Sequence, residues 1–206
     1  MTLTFLLDIL GTFSFAVSGI RLAAGKQFDW FGAYIIGLIT AVGGGTLRDI
    51  LLDVTPFWIL NPSYFITTGV AWLAMFFFGN LIQRLGQTLF LFDAVGLGLF
   101  TIVGLTKSLD AGLPWWASIL MGTLTGTVGG VIRDVLLNEV PLLFRKDIYA
   151  LTCVIGGMIY WVVRQWFTTD LAEIIAATSI PILRILAIRH SIHLPPFPPS
   201  QTHKNQ

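Results

Sequence analysis

The sequence predicts an all-α integral membrane protein with seven transmembrane helices, arranged as two inverted three-helix repeats and a seventh helix. The first observation is composition: 55% of the 206 residues are hydrophobic, 11% are charged, and the mean hydropathy is +0.80. So little polar surface cannot cover a soluble domain of this length. The second observation is an internal repeat, and the third is a charged motif that occurs once in each copy.

The repeat is visible when the chain is aligned with itself at an offset of 85 residues. Seventeen of the sixty pairs from Phe5/Phe90 to Tyr64/Tyr149 are identical, and the alignment needs no gap. The identical charged and small residues include Asp8/Asp93, Gly44/Gly129, Gly45/Gly130, Arg48/Arg133 and Asp49/Asp134. A duplicated apolar unit with the same charges in both copies is typical of a membrane pathway whose functional site lies where the copies meet.

Seven spans follow from the requirement of about 20 apolar residues per transmembrane helix. Their approximate bounds are 3–20, 30–52, 64–82, 88–106, 115–137, 148–165 and 171–189. The first three form one repeat (1–85), the next three form the second (86–169), and the seventh helix occupies 170–190, as an addition or at a subunit interface. The polar, Pro-rich segment 191–206 predicts a disordered tail.

Loop charges predict the orientation in the membrane. Because each repeat has three spans, the second copy enters from the opposite face, and the repeats are inverted. Basic residues gather on the side of the carboxyl terminus, at Arg21, Lys26, Arg84, Arg145, Lys146, Arg189 and Lys204. Lys107 and Arg164 flank the other side. The positive-inside rule then places the carboxyl terminus in the cytoplasm and the amino terminus outside an inner, or plasma, membrane.

Residues that are identical in the two copies recur at helical spacing and share one face of each helix. The first and fourth spans carry Asp8, Gly11, Phe15 and Gly19, and Asp93, Gly96, Phe100 and Gly104. The second and fifth carry Gly37, Thr40, Gly44, Arg48 and Leu51, and Gly122, Thr125, Gly129, Arg133 and Leu136. Since lipid-facing positions drift between copies, we expect these faces to point inward. Neighbouring hydroxyls either line a hydrated path or bond their own helix backbone; they are Ser14, Ser18, Thr40, Thr46, Thr123, Thr125 and Thr127.

Consecutive glycines occur at the same depth in the second and fifth spans, as Gly43-Gly44-Gly45 and Gly129-Gly130. They weaken a helix by about 1 kcal/mol each relative to Ala and permit kinks with bare carbonyl groups. The alternative is close helix packing through small residues. Two copies, each one turn before an Arg-Asp pair, favour the pathway interpretation.

The charges inside the spans need partners, because an unpaired charge at the bilayer centre costs on the order of 3 kcal/mol. Arg48 and Asp49 are neighbours that point about 100° apart on a helix, so we expect them not to pair with each other. The arginines either extend to the membrane surface or pair across the repeats, such as Arg48 with Asp93 or Asp134. The short side chains of Asp8 and Asp93 favour pairing across the repeats.

Several single residues have simpler interpretations. Lys107 is either a mobile charge that responds to voltage or an interfacial anchor, with the anchor the more common role. Glu173 and Arg184 are interpreted as charges near span ends, Pro181 as a kink, and Cys153 as a core residue. The histidines lack metal-ligand spacing, and we find no cofactor-binding fingerprint or catalytic constellation, so we predict no metal, no cofactor and no enzyme.

The motifs GGGTLRDILLD (43–53) and GGVIRDVLLNEVP (129–141) resemble those of the prokaryotic TRIC family, the trimeric intracellular cation channels. The resemblance covers essentially residues 3–189. It implies a homotrimer in which each subunit holds its own pore for monovalent cations such as K⁺ and Na⁺, with the second and fifth helices broken at the glycine motifs. The second copy has Val128 where the first has Gly43, so the two halves need not be equivalent.

We therefore predict a passive monovalent-cation channel whose partners are cations, membrane lipid and two further copies of the chain, with no nucleic acid. Carbonyl groups and carboxylates would coordinate the ion weakly, while Arg48 and Arg133 set the local potential and close the path by pairing. The predicted pathway residues are Asp8, Thr40, Gly43, Gly44, Gly45, Arg48, Asp49, Asp93, Thr125, Gly129, Gly130, Arg133 and Asp134, with Lys107 as a candidate gating residue. The alternative is a secondary transporter of a small amino acid such as glycine, since this domain type is also linked to glycine transport.

Overall fold

A computed structural model describes residues 2–84, 88–144 and 148–192 of the chain. Within these ranges, the helices are α1 (Leu3–Gly25), α2 (Trp30–Leu51), α3 (Phe57–Leu60), α4 (Ser63–Arg84), α5 (Thr88–Asp110), α6 (Trp115–Leu136), a 3-10 helix (Leu142–Phe144), α7 (Tyr149–Val163) and α8 (Thr169–Arg189). The predicted disordered tail lies outside the described residues from position 193 onward, as do Arg145, Lys146 and Lys204 of the loop-charge argument.

The prediction of an all-helical membrane protein is confirmed, and no strand occurs in the described ranges. By length and composition α1, α2, α5, α6 and α8 are able to cross a membrane, while α4 and α7 contain shorter apolar stretches, Ser63–Gly79 and Tyr149–Val163. Several helices run past the predicted bounds: α1 continues to Gly25 and α5 to Asp110. The short helix α3 and the 3-10 helix were not predicted, and they occupy equivalent places after α2 and α6.

The two copies pack against each other through equivalent helices, with α1 on α5 and α2 on α6. At the first contact the rings of Phe15 and Phe100 lie 5.2 Å apart. Each ring covers a glycine of the opposite helix, because a Cβ atom added at Gly96 would overlap Phe15 and one added at Gly11 would meet Phe100. These reciprocal contacts explain why both pairs of residues are identical between the copies.

The expectation that the repeated faces point inward agrees with the burial of almost all of their members. The aspartates, glycines, phenylalanines, threonines and arginines of these faces are buried. Leu51 and Leu136 are exceptions, because they end their helices and are exposed.

The last helix, α8, packs on α5 and α7. It is continuous across Pro181, whose ring lies against Gly98 of α5, where an added Cβ atom would collide with it. Cys153 of α7 is fully buried, as expected for a core residue. Thus α8 covers the second copy. The described residues contain no further long helix that covers the first copy in the same way.

Candidate functional site

Both Arg-Asp pairs lie in the last turn of a helix that ends in the same manner. After α2 the chain turns through Asp53 with φ 56°, and after α6 it turns through Asn138 with φ 54°. Asp and Asn tolerate this left-handed conformation better than most residues. In both places the residue directly after the turn bonds back to the helix, as the Val54 N–H does to the Asp49 carbonyl at 2.9 Å. The shared ending gives the two pairs equivalent positions.

Each arginine pairs with the aspartate next to it, so the expectation that these neighbours do not pair is wrong. Arg48 Nε donates to Asp49 Oδ1 at 2.8 Å, and Nη2 lies 2.7 Å from the same oxygen. Arg133 contacts Asp134 Oδ1 in the same way, at 2.8 Å from both nitrogens. Although the Cα–Cβ bonds diverge by about 100°, the arginine side chain is long enough to turn back to its neighbour.

The second oxygen of each aspartate holds the segment that follows the helix. Asp49 Oδ2 accepts from the Phe57 N–H at 2.8 Å, and Asp134 Oδ2 accepts from the Leu142 N–H at 3.0 Å. These donors open α3 and the 3-10 helix, whose first N–H groups have no partner within the helix. Each Arg-Asp pair is therefore a structural unit that joins a helix end to the next segment.

The arginines do not extend to the membrane surface, because Arg48 and Arg133 are each 1% exposed within the protein. The expected pairing of Arg48 with Asp93 or Asp134 is also wrong, since its aspartate partner is Asp49. The reason is that both carboxylates already have partners: Asp93 accepts from Arg133 and Arg184, and Asp134 accepts from Arg133 and the Leu142 N–H. One arginine contact does cross the repeats, where Arg133 Nη1 donates to Ser18 Oγ at 2.6 Å.

The second copy contains a closed cluster of charges around Asp93, which is fully buried. Its Oδ1 accepts from Arg133 Nη1 at 2.7 Å, and its Oδ2 accepts from Arg184 Nη1 at 2.8 Å. The interpretation of Arg184 as a charge near a span end is wrong, because this guanidinium is buried 4.4 Å from the Tyr149 ring centroid and 4.7 Å from that of Phe90. Both oxygens of Asp93 are thus occupied by cations.

The first copy contains the equivalent cluster around Asp8, with different partners. Asp8 Oδ2 accepts from the Tyr64 hydroxyl at 2.9 Å and from Lys107 Nζ at 2.6 Å. Its Oδ1 is buried and has no hydrogen-bond partner among the described residues. Lys107 is 32% exposed in its side chain and lies 5.1 Å from the Phe57 ring centroid. Lys107 is therefore paired with a buried carboxylate across the repeats, which an interfacial anchor would not be.

Glu173 also differs from its interpretation as a charge near a span end. It is buried, and its carboxylate accepts from the Thr4 hydroxyl at 3.1 Å. This contact ties the start of α8 to the start of α1.

The expected interruption of the second and fifth helices is absent, since α2 and α6 are continuous through their glycines. The glycines instead allow the two helices to touch. A Cβ atom added at Gly44 would overlap the carbonyl oxygen of Thr125, and one at Gly129 would overlap that of Thr40. Close packing of backbone on backbone therefore accounts for both residues, in agreement with the alternative interpretation.

The other predicted glycines and threonines have defined neighbours. An added Cβ atom would meet Ile132 at Gly43, Phe57 at Gly45 and Tyr149 at Gly130. The hydroxyls bond carbonyl groups of their own helices: Thr40 to Ile36 at 2.6 Å, Thr125 to Met121 at 2.7 Å, Thr46 to Val42, Thr123 to Ile119, and Thr127 to Thr123. These bonds match the backbone-bonding alternative for the threonines.

Sequence reasoning missed two members of the site, namely Tyr64 and Phe57. Tyr64 had a usable signal, because it is identical to Tyr149 in the repeat alignment. Phe57 had none, since its counterpart is Leu142. Contacts that exist in only one copy are invisible to a search for identities.

Comparison with known proteins places this site in a family. The sequence profile described as "Glycine transporter" matches twice, at residues 5–80 and 90–165. The UPF0126 inner membrane protein YadS of Escherichia coli K12 is 37% identical over 199 residues, which cover 95% of this chain and 96% of that protein. A UPF0126 membrane protein of Vibrio cholerae is 36% identical over 202 residues, covering 95% of this chain and 83% of that protein.

Solved structures give the same result. The TRIC trimeric intracellular cation channel orthologue from Rhodobacter sphaeroides is 32% identical, with a TM-score of 0.86 over 93% of this chain and 100% of that one. A prokaryotic TRIC channel solved in 0.5 M KCl is 33% identical, with a TM-score of 0.84 over 93% of this chain and 98% of that one. The chain therefore belongs to the prokaryotic TRIC family and contains the domain described as a glycine transporter twice.

Proposed function

We propose that this protein is a passive channel for monovalent cations such as K⁺ and Na⁺. The observation that carries the proposal is the likeness, over more than nine-tenths of the chain, to solved prokaryotic TRIC cation channels. A buried carboxylate in each copy, Asp8 and Asp93, supplies the chemistry that attracts a cation within the membrane.

The proposed assembly is a homotrimer in an inner membrane, with one pore in each subunit. It is supported by the word "trimeric" in the description of the Rhodobacter sphaeroides channel and by the inner membrane naming of the Escherichia coli relative. The described residues contain seven helices of 15 residues or more, and in the proposed topology all seven cross the membrane, which gives an odd number of spans and inverted repeats. The excess of basic loop residues supports an orientation with the amino terminus outside and the carboxyl terminus in the cytoplasm.

The proposed ion pathway runs between the copies, along the predicted residues of α1, α2, α5 and α6. Because α2 and α6 are continuous, their carbonyl groups are occupied within the helices, and we assign the ion contacts to carboxylates. Asp8 is the leading candidate, since its Oδ1 is free of hydrogen bonds to the described residues. Arg48 and Arg133 neutralise Asp49 and Asp134, so we do not assign an ion contact to those two carboxylates.

The arrangement described above is proposed to be the closed form. Lys107 Nζ lies 2.6 Å from Asp8 Oδ2, where it occupies the position that a permeating cation would take. A lysine that is one-third exposed has a route to solvent, and membrane voltage acts on its charge. Opening then requires Lys107 to leave Asp8.

Planar-bilayer recording of the purified protein tests the proposal. We expect unitary current steps in KCl that reverse near the K⁺ equilibrium potential, and a lower conductance in Asp8→Asn. Asp53→Asn is the matched control, because Asp53 is exposed and Asn tolerates its positive φ. Saturable glycine flux without unitary currents would instead show that the protein is a secondary transporter. The likeness to channel structures does not favour that alternative.

A further inference from the structure

The two charge clusters have the same composition. Each copy contributes two carboxylates and one arginine, and one further cation comes from outside that copy. Arg133 contacts both Asp93 and Asp134, whereas Arg48 pairs with Asp49 and adjoins Lys107 through the Phe57 ring. In the first cluster that cation is Lys107 of the second copy, and in the second it is Arg184 of α8. Two positive and two negative charges make each cluster neutral, so removing either outside cation leaves a net charge of −1.

The outside cation of the second cluster does not come from the duplication. The residue that aligns with Lys107 is Leu22. Leu22 lines a cavity of about 170 Å³ beside the Arg133–Asp134 pair, and the other lining residues are Leu89, Glu139 and Leu142. The cavity also gives small ions a volume beside the second cluster.

Arg184 is held more firmly than Lys107. It is 3% exposed, and its guanidinium lies within 5 Å of two ring centroids, those of Tyr149 and Phe90. A guanidinium stacks on aromatic rings and is weakly hydrated, whereas an ammonium on a flexible stem is strongly hydrated. Lys107, with one-third of its side chain exposed, exchanges with solvent far more easily than Arg184 does.

The hydroxyl contacts of Tyr64 and Tyr149 also differ between the two clusters. In the first copy the Tyr64 hydroxyl donates to Asp8 Oδ2. In the second copy Arg184 occupies Asp93 Oδ2, and the buried Tyr149 hydroxyl has no hydrogen-bond partner in the described part of the chain. The cation from α8 has therefore displaced the contact that the duplicated tyrosine makes in the first copy.

We propose that Arg184 is a built-in counter-cation that excludes monovalent cations from Asp93, so that Asp8 alone can exchange its lysine for a permeating ion. The proposal rests on the channel function above and adds a specificity-determining residue to it. It predicts that removing the charge of Arg184 creates a second cation site, at Asp93, that the wild-type protein lacks.

Thermal unfolding of the purified protein in KCl and in choline chloride at equal ionic strength tests this inference. We expect Arg184→Gln to lower the unfolding temperature in choline chloride. In KCl the variant should regain about 3 °C, which is the stabilisation expected when the K⁺ concentration is roughly five times the dissociation constant. Arg184→Lys should return the response of the unfolding temperature to K⁺ to that of the wild type, so that the gain at Asp93 is measured as the excess over the wild-type response. Arg189→Gln, an exposed substitution on the same helix, should also match the wild type. If Arg184 is merely structural, Arg184→Gln will lose the same stability in both salts.

A double variant covers the case in which Arg184→Gln does not fold. Asp93→Asn with Arg184→Gln removes both charges, so it should fold and show no preference for K⁺. If the double variant folds while Arg184→Gln remains unfolded even in KCl, K⁺ cannot replace the guanidinium and the inference is wrong. Bilayer recording of the wild type is a separate measurement: missing currents would refute the channel function and leave the result for K⁺-dependent stability unchanged.

Discussion

Replacing Lys107 by Gln removes the cation that neutralises Asp8, and the consequences follow from the geometry of that pair. The Nζ–Oδ2 distance is 2.6 Å, and the carboxylate side chain is 1% exposed whereas the lysine side chain is 32% exposed. After the substitution Asp8 retains the Tyr64 hydroxyl as a donor, but its charge stays buried without a counter-ion. The closed arrangement must then lose stability relative to any state in which Asp8 meets water or a cation.

The size of the effect lies between two limits. Breaking a fully buried ion pair costs about 3–5 kcal/mol, while an exposed pair contributes about 0–1 kcal/mol. Since one partner is fully buried and the other is one-third exposed, we expect about 2 kcal/mol, which is roughly a 30-fold change in an equilibrium constant. For a chain of this length the unfolding temperature should fall by about 4–8 °C.

Two measurements on purified Lys107→Gln check this expectation. Bilayer recording should show open probability at low voltage rising by roughly 30-fold, because the full energy of the pair acts on the closed state. Thermal unfolding should show the loss of stability, and adding Asp8→Asn should recover part of it. Lys26→Gln is the matched control: its 2.6 Å pair with Glu139 has side chains that are 40% and 33% exposed, with neither partner buried, so its removal should change neither quantity by much.

The reasoning would be refuted by a Lys107→Gln protein that unfolds earlier yet keeps the open probability and voltage dependence of the wild type. That result would make the pair a structural contact with no part in gating. Unchanged stability would contradict the energetic argument itself, because a buried carboxylate cannot lose its cation without cost.

Three further predictions concern packing, hydrogen bonding and orientation. Gly44→Ala and Gly129→Ala should each destabilise the protein by several kcal/mol, since the new Cβ atom meets a main-chain carbonyl, whereas Gly69→Ala, with open space, should be neutral or stabilising by up to about 1 kcal/mol in thermal unfolding. Tyr64→Phe should cost about 1–3 kcal/mol because it removes a donor to buried Asp8, and Tyr149→Phe should cost nothing, since that hydroxyl has no hydrogen-bond partner among the described residues. A reporter active only in the cytoplasm should give signal when fused to the carboxyl end, and a signal from a periplasm-only reporter would reverse the proposed orientation.

The helices could be predicted because the length of hydrophobic runs and the identities between the two copies can be read directly from the sequence. The partners of the charged side chains could not be predicted in this way. Arg48 and Asp49 pair because a flexible side chain turns back along its helix, and Arg184 reaches Asp93 because α8 packs on α5. Both facts depend on how the helices pack and on side-chain conformation, which residue spacing does not contain.

The glycine motifs show a second limit of sequence reasoning. Consecutive glycines fit a broken helix and a close helix crossing equally well, so the glycine motif alone does not distinguish the two. The outcome depended on residues of another helix: the carbonyl oxygens of Thr125 and Thr40 stand where the Cβ atoms of Gly44 and Gly129 would be. A search for reciprocal small residues on the partner helix, offset by one turn, would have favoured packing.

Identity between the copies predicts the pathway, and the contacts show that most identical pairs also have a structural role. The identical glycines, phenylalanines and Arg-Asp pairs build the crossing of the helices and the ends of α2 and α6, which both copies need alike. The groups that make the two carboxylate sites unequal are not repeated: Lys107 aligns with Leu22, Phe57 aligns with Leu142, and Arg184 has no counterpart. An inverted duplication with identical contacts would present the same charge environment to ions from either side. Directional behaviour, such as a response to one sign of voltage, therefore has to originate at these unequal positions. Substitutions there should change gating, while those at the identical glycines, phenylalanines and Arg-Asp pairs should change stability.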